Sequence, residues 1–361
     1  AQSVGGALAL QALIGVLLGV QWNLVAISVV VAVIQAVLAL IGFDALKYYT
    51  RVVCPCMVVF SLLVIYVLLS GGSQNPKFAA DSVFASQGLT WSWVAWGGMA
   101  SLMVGTWSTM STDAADFCRY SRSRQDMWFG FFFGAVIGTF FSAVLGCYAA
   151  VATGDSNPFA AIASLQPPAI LVVVMIIALL LQIVAINILN HYTGGFSLVN
   201  AIPKLGRFWA TVIIAVAAIA LSAMPVVIDQ AASIITFLGN VASPIAGVML
   251  ADYIFLKRTH VDVLELFKWD GRYRYTYGIN IVAFVSIAIG FYLFQFIPGW
   301  AIPALVTIII AGVVHYVLMK IVGSFVPSYA KAAQPAETPF SEEEIDQMLI
   351  KAQISDEIKL A

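Results

Sequence analysis

The chain has 361 residues, 61% of them apolar and only 10% charged, and its mean hydropathy is +0.96. Soluble domains carry about 25% charged residues, so water is excluded as the solvent for most of this chain and a polytopic membrane protein is expected. A formal net charge of −1 leaves no basic surface for nucleic acid.

A bilayer span needs about 20 mostly apolar residues. That template fits about ten times, near 3–21, 24–42, 52–70, 91–112, 128–152, 168–192, 207–224, 230–255, 277–297 and 300–321. The chain starts at Ala1 inside an apolar run, without a signal peptide, and reads as a truncated chain. With residue 1 placed inside, sixteen of the seventeen Lys and Arg residues fall on the cytoplasmic side and only Lys77 outside. One missed or invented span would scramble every later loop, so the charge split supports both span count and direction.

The first span is rich in small residues, Gly5, Gly6, Ala7, Ala9, Ala12 and Gly15, which let helices approach closely. Gln2 and Gln11 are its polar members, and Gln11 and Gln35 are expected to make interhelical hydrogen bonds. The four cysteines, Cys54, Cys56, Cys118 and Cys147, lack metal spacing and are expected as small core residues. Residues 71–88 read as an extracellular loop, followed by an interfacial belt of Trp91, Trp93 and Trp96.

From Ser101 to Arg122 an apolar run turns polar before it has left a membrane. Gly105-Thr-Trp-Ser-Thr-Met-Ser-Thr112 predicts a broken helix: Gly frees the backbone, and hydroxyls can satisfy the groups a break releases. Secondary transporters bind substrate at such breaks; the alternative is an ordinary span with a polar cap. The next span is crowded with Phe129, Phe131, Phe132, Phe133, Phe140 and Phe141, expected to face lipid or pack, and Gly134 and Gly138 add a small-residue face.

The span from Pro168 carries Gln182, Asn187, Asn190 and His191, the last three within one helical turn, and this cluster predicts an interior or a water-filled cavity. A structural polar network would explain it too. Beyond Asp229, the pairs Gly239-Asn240 and Ser243-Pro244 predict a kinked span ending at Asp252. Residues 259–275 suit a short surface helix, and Ser341-Glu-Glu-Glu344 opens a tail helix by the capping-box pattern.

Three stretches together resemble the nucleobase-cation symporters, the family of cytosine, purine, hydantoin and allantoin permeases. Gly105-Thr-Trp-Ser with Ala115-Asp-Phe-Cys-Arg-Tyr-Ser-Arg122 is similar to its sixth helix and following loop. Asn187-Ile-Leu-Asn190 with Gly194-Gly195 is similar to its eighth helix, and Ala251-Asp-Tyr-Ile-Phe-Leu-Lys-Arg258 to the end of its tenth. The resemblance covers roughly residues 1–322 and implies an all-α, leucine-transporter-like inverted-repeat fold in which this chain matches helices three to twelve. It implies a transmembrane domain over 1–322 and a cytoplasmic tail over 323–361. It also places Gln2 at the family's third-helix glutamine.

The resemblance thus implies a symporter for a nucleobase-like heterocycle, with Gln2, Thr106, Trp107, Ser108, Asn187, Asn190 and His191 as substrate-binding residues. Chemistry agrees: an indole supplies a stacking face, and carboxamides both donate and accept along a heterocycle edge. No cofactor is expected beyond a coupling cation, proton or sodium. Sodium-coupled members carry a Ser-Thr pair just before the first Asn of the eighth-helix motif, and here those positions are Ala185 and Ile186. Asp113, Asp116 and Asp252 each lie beside Arg or Lys and are expected as ion-paired loop anchors. The other readings are a transport-inactive fragment, a membrane scaffold or receptor of the same fold, or a carrier of another small solute. An enzyme is not expected, since His191, His260 and His315 stand far apart in sequence and no GxSxG occurs.

Overall fold

The computed structural model describes residues 2–20, 22–41, 43–84, 91–112, 114, 118, 121–154, 157–224, 230–266, 268 and 270–336. Within these, the backbone alone is described at 2–4, 38, 41, 43–48, 186, 231, 232, 263 and 264. In hydrocarbon every backbone polar group must be paired within its own segment, so long apolar runs become helices. They do so here as α1 (Gln2–Leu18), α2 (Leu24–Ile41), α3 (Phe43–Ser70), α4 (Ala80–Phe84), α5 (Trp93–Ser108), α6 (Arg124–Thr153) and α7 (Pro158–Ser164). The chain continues through α8 (Ala169–Ala201), α9 (Gly206–Ser222), α10 (Ala231–Leu250), a π turn (Ala251–Leu256), α11 (Val263–Leu266), α12 (Ile281–Phe294), α13 (Pro303–Phe325) and α14 (Pro327–Ala333).

Each of the ten expected spans maps onto one helix, α1, α2, α3, α5, α6, α8, α9, α10, α12 or α13. Among the described residues, six helical segments are long and apolar enough to cross a membrane, and three shorter apolar ones run Gly5–Leu18, Leu24–Val37 and Ile281–Phe294. The loop expected over 71–88 is partly helical, with 3-10 turns at Gly71–Ser73 and Pro76–Phe78 before α4. The tail helix expected at Ser341 lies outside the described residues, as do Asp113, Asp116 and Asp229.

The chain divides into two compact units, residues 1–90 with 125–232, and residues 91–124 with 233–361. In the first unit α8 is the central helix, packed by α1, α2, α3 and α9. Leu13, Leu68, Phe78, Ile162 and Met175 are fully buried in its core. Gly6 of α1 backs onto Ile183, and Gly194 and Gly195 of α8 back onto Ile214 and Thr211 of α9. The Tyr148 hydroxyl donates to the Phe78 carbonyl at 2.5 Å and ties α6 to the turn after α3. Further back along α6, Phe129, Phe132, Phe133, Phe140 and Phe141 are exposed, as a lipid-facing role requires. Gly134 and Gly138 look onto open space, so the small-residue face expected there packs against no described neighbour.

Two expectations fail on this unit for a shared reason: a helical position fixes a direction, not a neighbour. Cys54 and Cys147 are exposed and Cys56 half-buried on outward faces of α3 and α6; Cys118, in the second unit, is also half-buried, so none of the four is a core residue. Gln11 does not bridge to another span; its Nε2 donates to the Trp22 carbonyl, 2.6 Å away in the α1–α2 connection. Gln35 does bridge, donating to the Ile183 carbonyl of α8 at 3.5 Å.

In the second unit α13 packs on α5, α12, α14 and the π turn. Glycine lets segments here approach backbone to backbone: a Cβ on Gly247 of α10 would collide with the Ile308 carbonyl of α13, and one on Gly97 of α5 with the Gly299 carbonyl in the 3-10 turn Gly299–Ala301 that leads into α13. Pro244 sits inside an uninterrupted α10 rather than at a break. The irregular backbone comes later, as the π turn at Ala251–Leu256.

Candidate functional site

The predicted break on α5 is a continuous helix. The α-helix runs through Gly105, Thr106 and Trp107 to Ser108 and then tightens into a 3-10 turn over Thr109–Ser111. Its hydroxyls do not satisfy groups released by a break; they fold back on the preceding turn. Thr106 Oγ1 donates to the Leu102 carbonyl at 2.8 Å, and Ser108 Oγ to the Val104 carbonyl at 2.7 Å. Thr109 and Ser111 then bond the carbonyls of Thr106 and Ser108, at 2.6 and 2.7 Å. Such back-bonding competes with the helix ladder without severing it. Gly105 serves close packing instead: a Cβ there would stand 3.2 Å from the Gly239 Cα of α10.

Thr106 and Trp107 are exposed and Ser108 is buried. One turn earlier Ser101, absent from the sequence-based set, accepts the Ala304 amide at 2.9 Å. That amide is one of the donors left unpaired at the start of α13. Beside it a cavity of about 300 Å³ is lined by Gly98, Ser101, Gly105, Thr236 and Asn240, among mainly apolar neighbours. A volume of this order is at the lower end for small-molecule sites. Thr236 and Asn240 were not singled out as ligand contacts by sequence, because an isolated Thr or Asn in an apolar span gives no periodic signal.

The other polar cluster lies in the first unit, on α8. Asn187 and His191 are buried while Asn190 is exposed, so the turn puts two of the three groups inward and the third at the rim. Helix geometry explains this: at 3.6 residues per turn, positions four apart lie nearly in line and the third is rotated off them. Asn187 Nδ2 donates to the Ile183 carbonyl at 3.0 Å, the same oxygen that Gln35 reaches from α2. Tyr49 of α3 donates to the Leu181 carbonyl at 2.7 Å. Thus α2 and α3 both hydrogen-bond the backbone on which Asn187 is mounted. Arg207 lies over the Tyr192 and Phe196 rings at 5.6 and 5.9 Å, next along α8. Gln2 opens α1, and its side chain is outside the described residues. The structure therefore groups Thr106, Trp107 and Ser108 in the second unit and Asn187, Asn190 and His191 in the first.

A family model described as permease for cytosine/purines, uracil, thiamine, allantoin matches residues 2–310. The chain belongs to this permease family. The allantoin permease of Bacillus subtilis (strain 168) is 26% identical over 263 residues, covering 69% of this chain and 52% of the relative. The hydantoin permease of Microbacterium maritypicum is 25% identical, over 91% of this chain and 68% of its own. The Arabidopsis thaliana purine-uracil permease is 22% identical over 81% of this chain and 53% of its own. The chain thus spans about half the length of two of these permeases. Among solved structures, Mhp1, a nucleobase-cation-symport-1 family transporter in a closed conformation with bromovinylhydantoin bound, superposes with a TM-score of 0.71. The match covers 96% of this chain and 76% of Mhp1 at 20% identity. Inward-facing Mhp1 gives a TM-score of 0.61. The fold is therefore the all-α, leucine-transporter-like one, and the chain is an integral membrane permease-family member rather than an enzyme.

Proposed function

We propose that the protein is a secondary active transporter that imports a nucleobase-like heterocycle, such as cytosine, a purine, hydantoin or allantoin, together with a cation. The observation that carries this is the permease-family match over residues 2–310, joined by relatives named for allantoin, hydantoin and purine-uracil. Residues 1–322 form the transport domain in the plasma (inner) membrane, and 323–361 a cytoplasmic tail. In the second unit Trp107 offers the heterocycle a stacking face with Thr106 and Ser108 beside it, and in the first unit Gln2, Asn187, Asn190 and His191 offer polar contacts. The partner is a small neutral molecule because carboxamides, hydroxyls and a ring face can hold one without a countercharge. Ala185 and Ile186, just before Asn187, offer no side-chain oxygen to a hard cation, so the coupling ion is a proton or a sodium ion held elsewhere.

The test is uptake of radiolabelled cytosine, uracil, hydantoin and allantoin into cells or proteoliposomes containing the protein, under imposed proton or sodium gradients. Concentrative uptake of at least one compound, abolished by collapsing one gradient, is expected. Uptake of none under either gradient, with the protein folded in the membrane, would overturn the proposal.

A further inference from the structure

One buried cluster of ionisable groups takes no part in the site above. The π turn Ala251–Leu256 carries Asp252, whose Oδ2 is ion-paired with the Lys257 ammonium. The Lys257 amide bonds the Asp252 carbonyl at 2.9 Å, a five-residue step characteristic of the π-helix. In an α-helix residues five apart point to different sides; the wider turn brings these two side chains together. His315 of α13 is fully buried, and its Nε2 is 3.7 Å from Asp252 Oδ1. Among the described residues, His315 Nδ1, His315 Nε2 and Asp252 Oδ1 have no hydrogen-bond partner. Lys257 has a second partner in the Tyr273 ring, 4.8 Å from its Nζ.

A buried polar atom without a partner is unfavourable, and here an imidazole edge and a carboxylate oxygen that could satisfy each other stop just short of contact. With His315 neutral, Asp252 and Lys257 cancel. A proton added to the ring creates a cation beside an anion that retains an open oxygen, and a shift of somewhat under 1 Å closes the gap to the 2.7–2.9 Å of a charge-assisted bond. We propose that His315 is a proton-binding site whose imidazolium is captured by Asp252, drawing α13 onto the π turn.

Other titratable groups lie around the pair. Near the π turn are Tyr273 and Tyr275, and burial, then the Asp252 charge, pushes the Tyr275 hydroxyl above the usual tyrosine range. Tyr329 of α14 is engaged by Thr276 Oγ1 and the Ile281 amide, at 3.0 and 3.2 Å. The ionisable group of α12, Tyr292, is exposed, and α5 carries none between Trp93 and Ser108. On α13 itself Lys320 lies over the Tyr316 ring, 5.7 Å away.

The chain has three histidines, which makes the test direct. Nitrogen-15 histidine-labelled protein in lipid nanodiscs is titrated from pH 5 to 8, with His191→Gln and His260→Gln used to assign the remaining signal. The expected result is a His315 ring that becomes doubly protonated within that range, with a downfield Nε2 proton appearing only in the acid form. The titration should vanish from the range in Asp252→Asn. A His315 signal that stays neutral throughout, or an acid form lacking the downfield proton, overturns the proposal on the unmutated site. Identical titration in Asp252→Asn does so too.

Discussion

Trp107 is 38% exposed at the end of α5, with the hydroxyls around it turned back to their own helix. Of that polar run, the indole therefore offers the broadest surface to a ligand. Ring stacking contributes about 0.5–1.5 kcal/mol beyond buried area, and lost contact area adds to it. Trp107→Ala is expected to weaken heterocycle binding roughly tenfold or more, while Phe132→Ala, on the exposed face of α6, leaves it unchanged. Equilibrium binding of a labelled substrate checks this; equal affinity for the two variants would remove Trp107 from the site. Sequence shows that Asn187, Asn190 and His191 share a helical turn, but not that Asn190 sits at the rim, because spacing fixes a sector and the neighbours decide its depth. The pairing of His315 with Asp252 is invisible in sequence for a related reason: the carboxylate is 63 positions away, brought close by the packing of α13 on the π turn.

At the scale of elements, glycine is the residue whose meaning changed most between sequence and structure. Gly105 reads as part of a helix break and Gly239 as part of a kink, yet each lies in a continuous helix with its Cα against the other. A polar, Gly-rich run signals either a break or a close crossing, and only the neighbouring helix distinguishes them. The Gly247 contact with Ile308 makes a prediction: Gly247→Val should destabilise the protein by about 1–3 kcal/mol, as overpacking does. A thermal melt in detergent measures it, and an unchanged melting temperature would refute the tight crossing. The connection around α11 makes another. Glu265 accepts the Lys268 ammonium at 2.6 Å and the Arg272 amide at 2.9 Å, and these bonds, Lys268 first, hold its carboxyl below the usual range. A carboxyl lowered in the folded state stabilises it above the unfolded pKa, and the contribution is lost as pH falls through the lowered value. Hydrogen exchange at the Arg272 amide, corrected for intrinsic rates, should therefore accelerate only in acid below the ordinary carboxylate range. In Glu265→Gln this pH dependence should disappear.

For the whole molecule, the helix inventory was the most legible property, because hydropathy and basic-residue bias are sums over long stretches and tolerate local error. The division into two units was not legible, since the second unit takes residues 91–124 from the middle of the chain and rejoins at 233. Orientation remains a prediction from the sixteen-to-one charge split. In a cysteine-free background, an impermeant maleimide added outside intact cells should label Ser73→Cys and spare Ser341→Cys. The reverse pattern would invert the topology.

The crossings in the second unit also bear on how the gene can change. Apart from silent and stop changes, every single-base substitution in a glycine codon installs a residue with a Cβ. At Gly97 and Gly247 that atom would land on a carbonyl of the neighbouring segment, whereas at Gly130, Gly134 and Gly138 it would meet nothing within 4 Å. Five identical-looking glycines thus divide into two that point mutation cannot leave without rebuilding a helix crossing and three free to drift. In a library covering every codon, the first two columns should be nearly empty of survivors and the other three well populated.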